Sequence, residues 1–149
     1  MAKNPDSQPN LYTYNAVLSA AAYTRGGQDE RNDALHIAIM ILEEALNNAE
    51  PHERAEVTYG LFFTGCRNLC FDNPHRVKNI VDEVFSRCCD DGRVDGKILS
   101  QIRSLPTPSL IQDNFGELTD EECVIRIDEC PSSWSRNVSQ RTYSRKLYS

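Results

Sequence analysis

Two related stretches of this chain decide its fold: LYTYNAVLSA at residues 11–20 and EVTYGLFFTG at residues 56–65. Each contains a Thr-Tyr pair near its start and continues with small and apolar residues at helical spacing. The second Thr-Tyr pair stands 45 residues after the first. Helical units that recur at such a period predict an array of stacked hairpins, because each hairpin can bury its apolar face only against its neighbours.

The second helix of each unit repeats one apolar pattern. Apolar side chains recur at steps of three and four, which places them on one stripe of a helix. The two stripes are Ala34, Ile37, Ala38, Ile41, Leu42 and Ala45, and then Val77, Ile80, Val81, Val84, Phe85 and Cys88. We expect both helices to occupy equivalent places on one convex layer. The side chains expected to be buried are Ile37, Ile41, Val81 and Phe85.

The whole pattern predicts an all-α fold, an α-solenoid of antiparallel helical hairpins with two full repeats and a partial one. Asn10 is expected to cap the first helix, and the polar stretch 25–32, which contains two adjacent glycines, is expected to form a loop. The predicted helices cover about residues 11–24, 33–48, 53–70, 74–89, 94–104 and 108–115.

The chain changes in charge after the repeats. Residues 111–130 hold one arginine and seven acids, whereas residues 131–149 hold four basic residues and no acid. Residues 119–122 are typical of a capping box that opens a short helix, and residues 124–127 alternatively form an extended piece. We expect the Ser-rich end, from Pro131 onward, to be irregular or disordered. The predicted organisation is 1–10 as the end of a preceding repeat or a linker, 11–105 as the helical-repeat domain, 106–130 as a short helical acidic extension and 131–149 as a basic Ser-rich tail.

Composition excludes several classes of protein. The chain has 149 residues and a formal net charge of −6, which argues against a surface that is wholly a nucleic-acid patch but leaves room for one basic groove. No apolar run approaches the roughly 18 residues that a membrane helix needs, so we expect no membrane partner. Without a visible secretory signal, we expect an intracellular protein with reduced thiols.

The sequence contains no pattern that indicates catalysis. The six cysteines form C-x3-C, CC and C-x6-C spacings, which fit no zinc finger or ribbon. The three histidines lie apart, and there is neither a phosphate-binding glycine loop nor a nucleophile elbow. We therefore expect no enzyme, no metal or other cofactor and no small-molecule substrate. The cysteines are Cys66, Cys70, Cys88, Cys89, Cys123 and Cys130.

The repeated stretches resemble the pentatricopeptide repeat family. LYTYNAVLSA and EVTYGLFFTG resemble the first helix of that repeat, and ALHIAIMILEEAL and VDEVFSRCC at residues 34–46 and 81–89 resemble its second helix. The Pro9-Asn10 pair resembles the end of one repeat running into the next. CPSSWSRNV at residues 130–138 resembles the end segment of such proteins in some algae. The resemblance implies the C-terminal fragment of a longer array.

The resemblance also implies a partner, single-stranded RNA. First helices of this family line a groove in which each repeat reads one base, and basic side chains hold the phosphates. Carried over, the reading positions are Asn15, Ala55 and Gly60, of which only Asn15 has a side chain that can bond to a base edge. Further phosphate contacts are expected from Arg136, Arg141, Arg145 and Lys146. We therefore expect RNA binding that is weak, salt-sensitive and nearly sequence-blind.

The expected function is an RNA-binding helical-repeat module in organellar RNA metabolism. The family implies a mitochondrion or plastid, although the N-terminal residues are not an Arg-rich, acid-poor transit peptide. One alternative is a protein–protein interaction scaffold that uses the same concave surface, as tetratricopeptide arrays do. Another is a degenerate repeat that only caps a solenoid. The net negative charge of the chain favours these two alternatives, whereas the TYN motif at residues 13–15 favours RNA binding.

Overall fold

The first helix, α1 (Leu11–Ala22), begins where the extended backbone of Asn10 ends. In the computed structural model of the protein, which describes residues 10–116 and 125–138, the Asn10 side-chain oxygen accepts a hydrogen bond from the Thr13 backbone N–H at 3.0 Å. This bond satisfies one of the free N–H groups at the start of the helix. The predicted cap of α1 is therefore confirmed.

The second helix, α2 (Gln28–Asn48), begins earlier than the sequence predicts. Gly26 has a φ of +135°, which allows the sharp turn out of α1, and Gly27 is the N-cap. Asp29 and Glu30 then lie in the first turn, where negative charge stabilises the partial positive charge of the helix end. The prediction of a loop is therefore wrong for residues 28–32.

Four further α-helices follow: α3 (Ala55–Leu69), α4 (Lys78–Asp90), α5 (Gly96–Ile102) and α6 (Ser109–Phe115). A 3-10 turn at Pro74–Val77 leads into α4, and Gly116 ends α6 with a φ of +77°. Short 3-10 turns also form at Ile127–Glu129 and Ser132–Ser135. Of the piece predicted as extended, 124–127, Arg126 is extended, Ile127 is not, and residue 124 lies outside the described residues. The described part of the chain is all-helical and contains no strand. None of its helices is both long and apolar enough to cross a bilayer.

Helix α3 lies at the centre of the fold. It packs against α1, α2, α4 and α5. Its aromatic residues Tyr59, Phe62 and Phe63 are fully buried, as is Phe85 of α4. The large buried area of these rings makes this helix the main source of hydrophobic stabilisation. It also means that α1 and α5, which both pack against α3, are held in place by one common core.

Corresponding helices lie side by side and run in the same direction. The Leu11 N–H donates to Glu53 at 3.2 Å near the start of α1, and the Asn68 amide donates to the Ala22 carbonyl at 3.1 Å near its end. These contacts align α1 with α3. Arg87 donates to Asn47 at 3.1 Å and Arg76 donates to Asn32, which aligns α2 with α4 in the same way.

The two matched stripes are not buried equally. Val81 and Phe85 are fully buried, as predicted, but Ile37 is 47% exposed and Ile41 is half-buried. Helix α2 packs against α1 and α3 along a narrower stripe, which consists of Ala34, Ala38, Leu42 and Ala45. Ile37 lies about 100° around the helix from the centre of that stripe, where no described element covers it. The prediction of a buried Ile37 is therefore wrong.

The segment 131–138 is ordered and packs on α4. Trp134 is 6% exposed and meets Phe85 edge to face, with ring centroids 5.6 Å apart. The Val94 N–H donates to the Trp134 carbonyl at 2.8 Å, and the Asn137 N–H donates to the Gly92 carbonyl at 2.8 Å. The expectation of a disordered end is therefore wrong for these residues, although only Ser132–Ser135 form a regular turn. The possible capping box at 119–122 and residues 139–149 lie outside the described residues.

A buried arginine joins this segment to the core. Arg93, 8% exposed, donates to the Glu56 carboxylate at 3.0 Å and to the carbonyls of Pro51 at 2.9 Å and Asn137 at 2.6 Å. Glu56 is itself only 2% exposed. Arg93 thus joins the α2–α3 loop, the start of α3 and the C-terminal segment. Its hydrogen bonds and its ion pair with Glu56 offset the cost of burying its charge.

Candidate nucleic-acid interface

The three family reading positions lie on α1 and α3. The Asn15 side-chain oxygen accepts a hydrogen bond from the Thr58 hydroxyl at 2.7 Å, so this acceptor already joins α1 to α3. Ala55 is 6% exposed and Gly60 is buried. These surroundings leave the Asn15 amide nitrogen as the only side-chain donor that the three positions can offer to a base. Their role in base reading stays a prediction.

The predicted basic contacts of the C-terminal end divide into two groups. Arg136 is exposed, and its guanidinium donates to the Ser133 carbonyl at 2.8 Å and to the Asp90 carbonyl. Arg136 thus satisfies a free carbonyl at the end of α4 and helps to hold the segment 131–138 there. Arg141, Arg145 and Lys146 lie outside the described residues.

A groove of about 740 Å³ lies between α3 and α5. Three cations line it, and all three are exposed: Arg54 just before α3, Arg67 near the end of α3, and Lys97 in the first turn of α5. Residues 127 and 138 close its other side. We call this concavity the α3–α5 groove. Its long dimension follows α3, so that cations stand near both ends of that helix.

The floor of the α3–α5 groove carries an amide group. Gly60 has no side chain, and a Cβ built there would lie 3.3 Å from the Gln101 side-chain oxygen. Gln101 of α5 therefore fills the space above Gly60, and its amide nitrogen lies 2.6 Å from the Thr64 hydroxyl, to which it donates. Its oxygen is buried and accepts no hydrogen bond from the described residues. A ligand donor that reached this oxygen would satisfy it.

The acids that line the α3–α5 groove are already engaged. Glu56 is bonded to Arg93 at 3.0 Å and lies 3.8 Å from the Arg54 guanidinium. Asp95 caps α5 by accepting a hydrogen bond from the Ile98 N–H at 2.8 Å, and burial raises the pKa of Asp95. The exposed charge of the groove is therefore positive, although the whole chain is acidic.

Two exposed aromatic residues extend this surface beyond the groove. Tyr23, the C-cap of α1, is 63% exposed and lines both the groove and a second, shallower cleft of about 470 Å³. Phe71, which follows the end of α3, is 69% exposed and lines that cleft with Arg25 and Arg67. Sequence reasoning missed both aromatic residues, because they stand after helix ends and belong to no periodic pattern.

The described cysteines belong to the core, not to a reactive site. All five are free thiols and buried. Burial raises the pKa of Cys89 to about 12 and that of Cys130 to about 11, which disfavours the reactive thiolate. Within residues 10–116 and 125–138, no three His, Cys, Asp or Glu side chains converge as metal ligands.

Comparison with models of protein families, with curated proteins and with solved structures yields no match to this chain.

Proposed function

We propose that this protein binds single-stranded RNA along the surface formed by α1, α3 and α5. The observation that carries the proposal is the α3–α5 groove, around which Arg54, Arg67 and Lys97 are exposed in a chain of net charge −6. Arg54 lies 3.8 Å from the Glu56 carboxylate, whereas Arg67 and Lys97 form no ion pair within the described residues, so Arg67 and Lys97 above all are available to phosphates. Exposed Tyr23 at the end of the groove adds an aromatic surface on which a base can stack.

The proposal includes the stacked-hairpin architecture. It is supported by the parallel alignment of α1 with α3 and of α2 with α4, through contacts between residues 40 to 46 apart in the chain. Helix α5 continues the row of first helices, since it packs on α3. In this arrangement the protein is an α-solenoid module of the pentatricopeptide type that acts in the RNA metabolism of a mitochondrion or plastid.

Binding of this kind depends more on phosphates than on base identity. Asn15 is bonded to Thr58, and Gly60 offers no side chain, so neither position presents a complete pair of reading groups. Three phosphate contacts to a single strand predict that log K falls with log salt with a slope of about −2. The groove, and not only the basic C-terminal end, then supplies the affinity.

The test is a titration of fluorescent 12-nucleotide RNAs at two salt concentrations. We expect Arg67→Glu and Lys97→Glu each to weaken binding by about tenfold, because each replaces an attractive charge with a repulsive one. Lys78→Glu makes the same charge change on the exposed side of α4 and is the matched control. Wild-type affinity in the Arg67→Glu/Lys97→Glu double variant would overturn the proposal.

A protein–protein scaffold is the second candidate, and the outer side of α2 favours it. Ile37 and Met40 are 47% and 69% exposed there, and Val17 of α1 is 38% exposed. Exposed apolar side chains on neighbouring helices are typical of a surface that another protein or repeat covers. If no RNA binds at either salt concentration, this candidate, or a role as the cap of a longer solenoid, takes the place of RNA binding.

A further inference from the structure

The shallower cleft holds the features of a base-binding site. Its lining consists of Ala22, Tyr23, Thr24, Arg25, Arg67, Asn68 and Phe71, and we call it the aromatic cleft. It lies between the C-terminal ends of α1 and α3 and encloses about 470 Å³. Two arginines and no acid line it, so the cleft fits an anionic ligand.

The Phe71 ring is held on one side by Arg31 although it is exposed. The Arg31 guanidinium carbon lies 4.8 Å from the ring centroid, and Arg31 is in turn held by the Asp72 carboxylate at 3.3 and 3.5 Å. The Arg31 side chain is only 15% exposed. Arg31 thus covers one side of the ring while 69% of Phe71 remains open to solvent. A ring that is already oriented loses little entropy when a ligand stacks on it.

The opposite wall of the aromatic cleft is tied to the same scaffold. The Asn68 amide donates to the Ala22 carbonyl at 3.1 Å, which attaches the end of α1 to the end of α3. Tyr23, 63% exposed, follows directly after Ala22. This hydrogen bond therefore joins the two helix ends that Tyr23 and Phe71 follow. Tyr23 and Arg67 also line the α3–α5 groove, so a bound strand passes from one concavity to the other without leaving the surface.

We infer that the aromatic cleft is a stacking site for one unpaired nucleobase of bound RNA, with Arg25 and Arg67 on the adjoining phosphates. This inference rests on the proposed function and specifies one subsite of it. An aliphatic ligand would use neither arginine, and an inorganic anion would use neither ring. A nucleotide uses both, because it combines a flat π-surface with a negative charge.

The test compares an ordinary RNA 12-mer with an abasic strand of equal length, which has the same phosphates and no bases. We expect Phe71→Ala to weaken binding of the ordinary strand by about tenfold, the value expected for the loss of one stacked base. Its salt slope should not change, because no phosphate contact is removed. The abasic strand should bind the variant and the wild type equally.

Three further variants show whether the effect is specific to the aromatic cleft. Phe71→Leu keeps an apolar side chain without a π-surface and should weaken binding as Phe71→Ala does, while Tyr23→Ala should weaken binding of the ordinary strand alone. Met40→Ala removes an apolar side chain of equal exposure, 69%, from α2 and should leave binding unchanged. Circular dichroism of each variant confirms folding.

The outcomes separate the two proposals. If the ordinary strand binds Phe71→Ala as well as the wild type, or if both strands lose affinity alike, the stacking site is wrong and RNA binding by the α3–α5 groove stands. If neither strand binds the wild type, the proposed function and the stacking site are both wrong.

Discussion

Replacement of Arg93 by alanine should destabilise the whole fold. The wild-type side chain donates to the Glu56 carboxylate at 3.0 Å and to two backbone carbonyls at 2.6 and 2.9 Å. Alanine would remove the buried cation closest to Glu56, which is 2% exposed and also lies 3.8 Å from the Arg54 guanidinium. Because Arg54 lies 3.8 Å away and its side chain is 59% exposed, it compensates only weakly.

The expected loss of stability is about 3–5 kcal/mol, the cost of removing one member of a buried ion pair. For a chain of 149 residues this corresponds to a fall in Tm of about 10 °C. The assay is urea unfolding followed by the fluorescence of Trp134, the single tryptophan. This probe lies in the segment that Arg93 holds through the Asn137 carbonyl.

Three further variants identify the cause. Glu56→Gln removes the buried charge, so the Arg93→Ala/Glu56→Gln double variant should cost less than the sum of the single variants. Arg87→Ala is the control, since Arg87 is exposed and has one bond, to Asn47 at 3.1 Å; we expect it to cost less than about 1 kcal/mol. A loss below about 1 kcal/mol for Arg93→Ala, or additive effects in the double variant, would refute the reasoning.

Two other predictions concern the core. Val81→Asp should unfold the protein, because it places an unpaired carboxylate at a fully buried position. Ile37→Asp, at a 47% exposed position, should change the free energy of unfolding by less than about 1 kcal/mol. Urea titrations compare the two variants, and equal effects would show that the outer side of α2 is covered. Burial raises the pKa of Cys89 to about 12 and of Cys130 to about 11, above the unfolded value of 9.0. As pH rises, the unfolded chain therefore releases these protons before the folded chain does. The free energy of unfolding should fall as pH rises from about 9 to 11. Unfolding midpoints across that range check the second prediction, which a flat profile would contradict.

The helices themselves could be predicted from the sequence because local rules set them. Asn10 caps α1, Gly116 ends α6, and apolar steps of three and four mark α2 and α4. The all-helical character and the alignment of residues about 43 apart follow from the same repetition. Local rules are less informative at the start of α2. The two adjacent glycines suggested a loop up to residue 32, but α2 begins at Gln28, where the acids of its first turn stabilise the helix end.

Only the tertiary structure decided which apolar residues are covered and where the candidate site lies. Ile37 and Ile80 occupy equivalent places in the two stripes, yet Ile37 is 47% exposed and Ile80 is half-buried against the core. The difference arises because no described element packs against the outer side of α2, whereas α6 and the segment 131–138 pack against α4. The cations of the α3–α5 groove come from positions 54, 67 and 97, and the rings of the aromatic cleft from positions 23 and 71. No local pattern links residues so far apart, because burial and proximity depend on contacts between helices, whereas helix formation depends on neighbours along the chain.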